Sequence, residues 1–349
     1  MESRRLVWPD VAKGACIVLV VLWHVTRKDY LQLDWRLDLP VTGAWGTLSQ
    51  ALLPVRMPLF FAISGFFAAR RLERPWRSVL ARRVAPLLWV FVLWTLLQTA
   101  VLQAVPGFDT AIARTPAELA EQLTVTPGNL WYLLALAAYV AVARATRRRP
   151  VLALAAALAL SAVAAAGWVP TPGNRYGLLT NLPFFLLGVQ LARHPDVVRR
   201  HATPARGAAL VAAYVVGAGL WILLDADTWL GVRPGLGLLG AGAGAVLAVT
   251  LSRVPAVGAA LATLGRRTLP VYVVHLPLVA FVHLASARLV PTGSTVVAVV
   301  YPLLVTALVL AASLALHRLA VRLGGRWLFE APWLRPGRRP APEAVGAAS

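Results

Sequence analysis

Apolar residues along this chain come in long, nearly unbroken runs, with polar residues gathered in the gaps between them. Ten runs read as membrane-spanning helices: 8–26, 47–69, 84–104, 129–146, 151–168, 177–192, 207–224, 234–252, 268–287 and 295–316. The yardstick is a hydrocarbon core that asks for about 20 apolar residues per helix. The stretch 254–264 is too short to cross and reads as an interfacial segment. In the gap 105–128, Thr115-Pro116-Ala117-Glu118 has the cap, proline and acidic first turn of a short helix. From residue 326 the chain turns to Pro, Arg, Ala and Gly, so 326–349 reads as a disordered basic tail and 1–325 as one membrane domain. The expected fold class is all-α: a polytopic integral membrane protein with about ten transmembrane helices.

Composition strengthens this reading. Hydrophobic residues make up 59% of the 349 positions and charged residues 14%, against roughly 25% charged in soluble domains. A chain so poor in charge cannot cover a water-facing surface, which places it in the cell membrane as a multi-pass protein in contact with lipid. The net charge of +20 would raise nucleic acid as a partner in a soluble protein. Here the basic residues instead cluster in alternate gaps, as topology determinants do. Twenty-five of the 34 Lys and Arg fall on one side if both termini are cytoplasmic, seven on the other, and Lys13 and Arg56 within spans. That excludes nucleic acid and predicts cytoplasmic N- and C-termini. The single cysteine, Cys16, allows no internal disulfide. The first apolar run lacks a small-x-small cleavage site and reads as a retained helix.

Candidate chemistry lies with the polar residues that the membrane makes costly, about 2.5–3.5 kcal/mol each at midplane. The first span contains Asp10, Lys13 and His24. Lys13 and His24 are three turns and roughly 20° apart on a helix, and Asp10 lies within about 40° of the histidine. All three therefore share one stripe, which must face protein. One reading makes Asp10 and Lys13 an interfacial ion pair, with His24 harmless at the outer boundary. The other makes His24 a general base, Lys13 a contact for an anionic ligand and Asp10 its orienting or balancing partner. In the second span, Pro54 and Pro58 break the backbone ladder around Arg56, which then serves freed carbonyls, a substrate anion or a lipid phosphate. Ser64-Gly65 has the small residues of a helix-packing contact. Trp131 and Tyr132 have the position of interfacial anchors. His275 lies well inside the ninth span, two residues before Pro277, while His283 reads as interfacial, His201 and His317 as solvated, and Asp225 and Asp227 as solvated loop carboxylates. No metal-ligand spacing, P-loop, dinucleotide fingerprint or G-x-S-x-G motif occurs.

These segments resemble the membrane acyltransferase-3 family, which includes fucose O-acetylase-like enzymes and polysaccharide O-acetyltransferases. The likeness begins with Asp10-Val-Ala-Lys13 through Leu-Trp-His24, where family members carry a basic residue 11 positions before an essential histidine. It continues through Met57-Pro58-Leu59-Phe60-Phe61 to Ser64-Gly65-Phe66, Arg82-Arg83-Val-Ala-Pro86, Leu130-Trp131-Tyr132-Leu133, Phe184-Phe185-Leu186-Leu187-Gly188 and Tyr272-Val-Val-His275-Leu-Pro277. Two positions depart from it: many members have arginine at Lys13, and many fucose O-acetylase-like members have histidine at Arg56. The resemblance implies an O-acyltransferase with acyl-CoA, usually acetyl-CoA, as donor and no metal. Coenzyme A phosphates would dock from the cytoplasm near Arg70, Arg71, Arg82 and Arg83. His24 would deprotonate a hydroxyl of a carbohydrate or glycoside acceptor, with Lys13 and Asp10 in support. Arg56, Trp131 and His275 would line the path, with Ser64 beside them. The rival from another class is a transporter or flippase for a sugar or lipid-linked substrate, using the same polar stripe for recognition. No internal repeat supports it.

Overall fold

The structure is a computed structural model that describes residues 6–108 and 110–334. It is helical throughout, with no strand among the described residues. The first helices are α1 (Trp8–Lys28), α2 (Val41–Ala51), α3 (Leu53–Leu72), α4 (Trp76–Val79) and α5 (Ala85–Leu102). Next come α6 (Pro116–Thr124), α7 (Trp131–Ala145), α8 (Pro150–Ala165), α9 (Arg175–Leu191) and α10 (Val197–His201). The last are α11 (Pro204–Leu223), α12 (Val232–Leu251), α13 (Pro255–Gly265), α14 (Thr268–Leu289) and α15 (Thr295–Arg322).

Every predicted span has a helix. Seven candidate spans are long and apolar enough to cross a bilayer, so the chain is a polytopic membrane protein. The other three predicted spans became α7, α8 and α9, of 15, 16 and 17 residues. At 1.5 Å per residue these reach only about 22–26 Å, short of a core roughly 30 Å thick. The predicted span 47–69 is divided at Leu52 between α2 and α3, with Pro54 in the first turn of α3.

Burial separates a centre from a periphery. In the apolar window of the span that contains α1, 72% of residues are buried, against 17% for α11. Val215 and Val216 of α11, and Leu304 and Leu308 of α15, are each more than half exposed and form the lipid-facing skin. α1 is thus the hub, touching α3, α12, α13, α14 and α15. Two reciprocal glycine crossings bring backbones together. A Cβ on Gly65 would lie 2.0 Å from the Phe185 carbonyl oxygen, and one on Gly188 1.8 Å from that of Ala62, so α3 and α9 touch main chain to main chain. Gly14 and Gly265 do the same for α1 and α13, with Cβ positions 2.0 Å from Leu261 O and 1.8 Å from Asp10 O. Hence the short segment read as interfacial, 254–264, is packed tightly on the first half of α1.

The arginine clusters meet at one end of the bundle. Arg144 Nε donates to Arg74 O at 3.0 Å, and its guanidinium stacks on Trp76. The predicted tail begins differently from expectation. Residues 325–334 make two short 3₁₀ turns, with Phe329 buried and Trp89 and Trp94 donating to Trp327 O and Leu328 O. An aromatic anchor, Trp-Leu-Phe, outweighed the disordering composition around it. The remainder of that predicted tail, 335–349, lies outside the described residues. His317 is likewise held, packing edge-on to Phe329 with ring centres 4.6 Å apart.

Candidate active site

At the end opposite the arginine clusters, a cavity of about 440 Å³ opens between α1, α3, α7, α9 and α12, within the ~300–1,000 Å³ of ligand pockets. Its mouth is formed by loop residues such as Thr110, Gly128 and Gly173. His24, Arg56 and Trp131 line it, together with Trp23, Asn129 and Tyr272. Trp131 is no belt anchor: its ring lies beneath Gly177, where a Cβ would come within 2.7 Å of it.

His24 is 9% exposed and held by two acceptors on one side of its ring. Its Nδ1 lies 2.9 Å from Val20 O and 3.2 Å from His275 Nε2. His275 is fully buried, with Nδ1 2.7 Å from Tyr272 O and 3.1 Å from Val271 O. Carbonyl oxygens only accept, so His275 Nδ1 carries a hydrogen and its Nε2 a lone pair. His24 Nδ1 must then be the donor toward both Val20 O and His275 Nε2. This leaves the lone pair of His24 on Nε2, the protonation pattern of a base. His275, expected on the substrate path, stands instead behind His24 and does not line the cavity.

A proline sets that arrangement in place. Pro277 has no N–H to give Val273 O, its partner four residues back. Gln98 of α5 fills the vacancy, its Nε2 donating to Val273 O at 2.9 Å. Tyr272, one turn from His275, bonds Asn129 O at 2.7 Å and so ties α14 to the loop before α7.

The rest of the predicted constellation lies elsewhere. Lys13 shares the azimuth of His24 but sits 11 residues, or about 16 Å, further along the axis. Its ammonium lies 5.6 Å from the Phe67 ring centre and it does not line the cavity. Asp10 is buried at the start of α1, 3.9 Å from Arg266 Nη1. Ser64 donates to Phe60 O at 2.8 Å and pairs with Tyr132 OH at 2.7 Å, away from the cavity. Arg70 borders a second recess of about 190 Å³ at the basic end, with Glu73, Thr146, Arg147, Gln190 and Arg193. Arg71 and Arg82 are exposed and Arg83 half-buried, and none of the three borders that recess.

Sequence reasoning missed a second buried cluster, at the far end of α1. Asp29 is fully buried; it accepts from Tyr301 OH at 2.6 Å and faces His283 Nδ1 at 3.2 Å. Ser286 also bonds Tyr301. His283 is therefore not an idle interfacial ring. Asp227, read as solvated, pairs with Arg233 and accepts from Trp221 Nε1 at 3.0 Å.

With a buried histidine pair beside an open cavity in a helical membrane bundle, comparison with known proteins decides the class. The sequence profile of an acyltransferase domain, that of the acyltransferase-3 family, matches residues 6–318. The chain belongs to the acyltransferase-3 family. Among curated proteins it is similar to the inner membrane protein YcfT of Escherichia coli (strain K12), 28% identical over 245 residues that cover 64% of this chain and 67% of the relative. No solved structure matches it. As an acyltransferase-3 family member it is an acyltransferase of the membrane, and its cavity and histidine pair lie within the matched residues.

Proposed function

We propose that this protein is an O-acyltransferase that takes an acyl group, acetyl being the simplest, from acyl-CoA at its arginine-rich end. It delivers that group to a hydroxyl of a carbohydrate or glycoside held in the opposite cavity. The observation that carries the reading is His24 at the cavity wall, with Nδ1 spent on Val20 O and His275 and Nε2 left with a lone pair.

In this reaction the acceptor oxygen attacks the thioester carbonyl carbon as its proton passes to His24 Nε2. The new C–O bond forms, the C–S bond breaks as the tetrahedral intermediate collapses, and the thiolate leaves and recovers the proton. While His24 is an imidazolium, its Nδ1–H remains bonded to His275 Nε2, which steadies the ring through the step. The aromatic walls, Trp23, Trp131 and Tyr272, suit the apolar faces of a sugar. At the other end, the recess bordered by Arg70, Arg147 and Arg193 offers the positive charge that coenzyme A phosphates require. Lys13 lies on the same stripe between the two ends, where it can meet the approaching donor.

The test uses membranes bearing the full chain and radiolabelled acetyl-CoA. Label should enter a glycan fraction with wild type. It should fall by about 10²–10⁴-fold, the usual worth of a general base, in His24→Ala at equal protein level. Unchanged transfer in the variant refutes the assignment.

A further inference from the structure

Among the described residues, Arg56 is a buried cation with no counter-ion. It is 4% exposed and borders the outer cavity. Its guanidinium rests on the Trp23 ring, 4.7 Å from the centre. Among the described residues it makes no ion pair and no hydrogen bond. An aromatic face attracts a cation but does not neutralise it, and burying an unpaired charge is costly. A second donor in the same cavity is unused too: the Asn129 amide neighbours His24, and its Nδ2 is buried with no hydrogen-bond partner among the described residues. Lys28 and Arg233 complete the basic lining, in which no Asp or Glu occurs among the described residues. Arg233 is answered by Asp227, so among the described residues the charges of the lining without an ion pair are Arg56 and Lys28.

A cavity walled by aromatics, with spare N–H donors and excess positive charge, is incomplete without an anion. We propose that its base is an anion subsite, in which Arg56 and Asn129 hold a carboxylate or phosphate carried by the acceptor saccharide and Lys28 draws it in at the mouth. The acceptor is thus an acidic sugar or a glycosyl phosphate. This rests on the preceding reading only in calling the ligand an acceptor; the subsite itself stands on the unpaired donors.

Binding, measured apart from acyl transfer, tests it. The full-length protein in phosphatidylcholine nanodiscs is titrated calorimetrically with methyl glucuronide, glucose 1-phosphate and neutral methyl glucoside. Either anionic sugar should bind at least about tenfold tighter than the neutral one, and which of the two leads distinguishes carboxylate from phosphate. Arg56→Gln should abolish the preference while the neutral sugar binds as before, and Arg56→Lys should keep part of it. Lys28 stands at the cavity edge, so Lys28→Gln tests the same charge without touching the buried arginine. It should reduce the preference about threefold. Equal binding of all three sugars, or a preference that survives both Arg56→Gln and Lys28→Gln, overturns the proposal. So does a preference erased when phosphatidylglycerol is added to the nanodisc, because a lipid phosphate then owns the subsite. His24→Ala should retain the preference. An anion preference without any acyl transfer by wild type would sink the acyltransferase reading and spare the subsite; transfer without a preference would do the reverse.

Discussion

At the scale of single residues, the pairing of His24 with His275 has the most direct consequence. In place of the carboxylate that often orients a catalytic histidine, a neutral imidazole accepts from Nδ1. Its removal leaves Val20 O as the remaining acceptor and frees the ring to turn. His275→Phe should therefore lower kcat on the order of 10²-fold with KM little changed, and His275→Gln, whose amide oxygen can accept, should restore part of the rate. A steady-state comparison of the three proteins decides it, since a merely structural role would not be rescued by the smaller polar side chain.

His24, Arg56 and His275 were legible in the sequence because lipid makes polar groups expensive and so marks them. Their relations were not. Helical periodicity gives the azimuth of Lys13 and His24 correctly but carries no information about where along the axis a cavity begins, and about 16 Å separates them. His275 and His24 are 251 residues apart, and nothing in one helix announces the face of another. Asp29 and Tyr301 escaped notice, and His283 reads only as interfacial, because each lies toward a helix end, where solvation is the default.

At the scale of elements, the backbone is shaped by residues that lack something. Pro277 lacks an N–H, and Gln98 of another helix supplies it to Val273 O. Gly65 and Gly188 lack side chains, and α3 and α9 meet through the space this leaves. A methyl group at Gly188 would strike a main-chain carbonyl that cannot swing aside. Gly188→Ala should cost at least about 2 kcal/mol, seen as a lower melting temperature in detergent. Gly293→Ala should be silent, since nothing lies within 4 Å of its Cβ position. The existence of these helices could be read from hydropathy, whereas the lengths of α7, α8 and α9 could not. Hydropathy does not register where a turn at Gly167 or Gly173, both at positive φ, cuts a helix short.

At the scale of the whole molecule, the chain has two chemically unlike ends: one rich in arginine, and one holding the cavity with its aromatic and amide walls. The basic end should face the cytoplasm. Cys16, the sole cysteine, is 1% exposed, so the native chain already serves as an unreactive background. A cysteine at Gly293 should be labelled by an impermeant maleimide in intact spheroplasts, and one at Ala81, in the arginine-rich segment, only after lysis. The reverse pattern would invert the protein and place acceptor chemistry inside the cell.

The central helix is fastened at both extremities: near its start by the glycine crossing of Gly14 with Gly265, and just past its last residue by Asp29 gripping Tyr301 and His283. A rod pinned twice can neither swivel nor slide, so the histidine it bears keeps one bearing whether or not a guest is present. Any breathing that lets ligands in and out should then fall to the loops at the cavity mouth, around Thr110, Gly128 and Gly173, while the machinery beneath stays a fixed anvil.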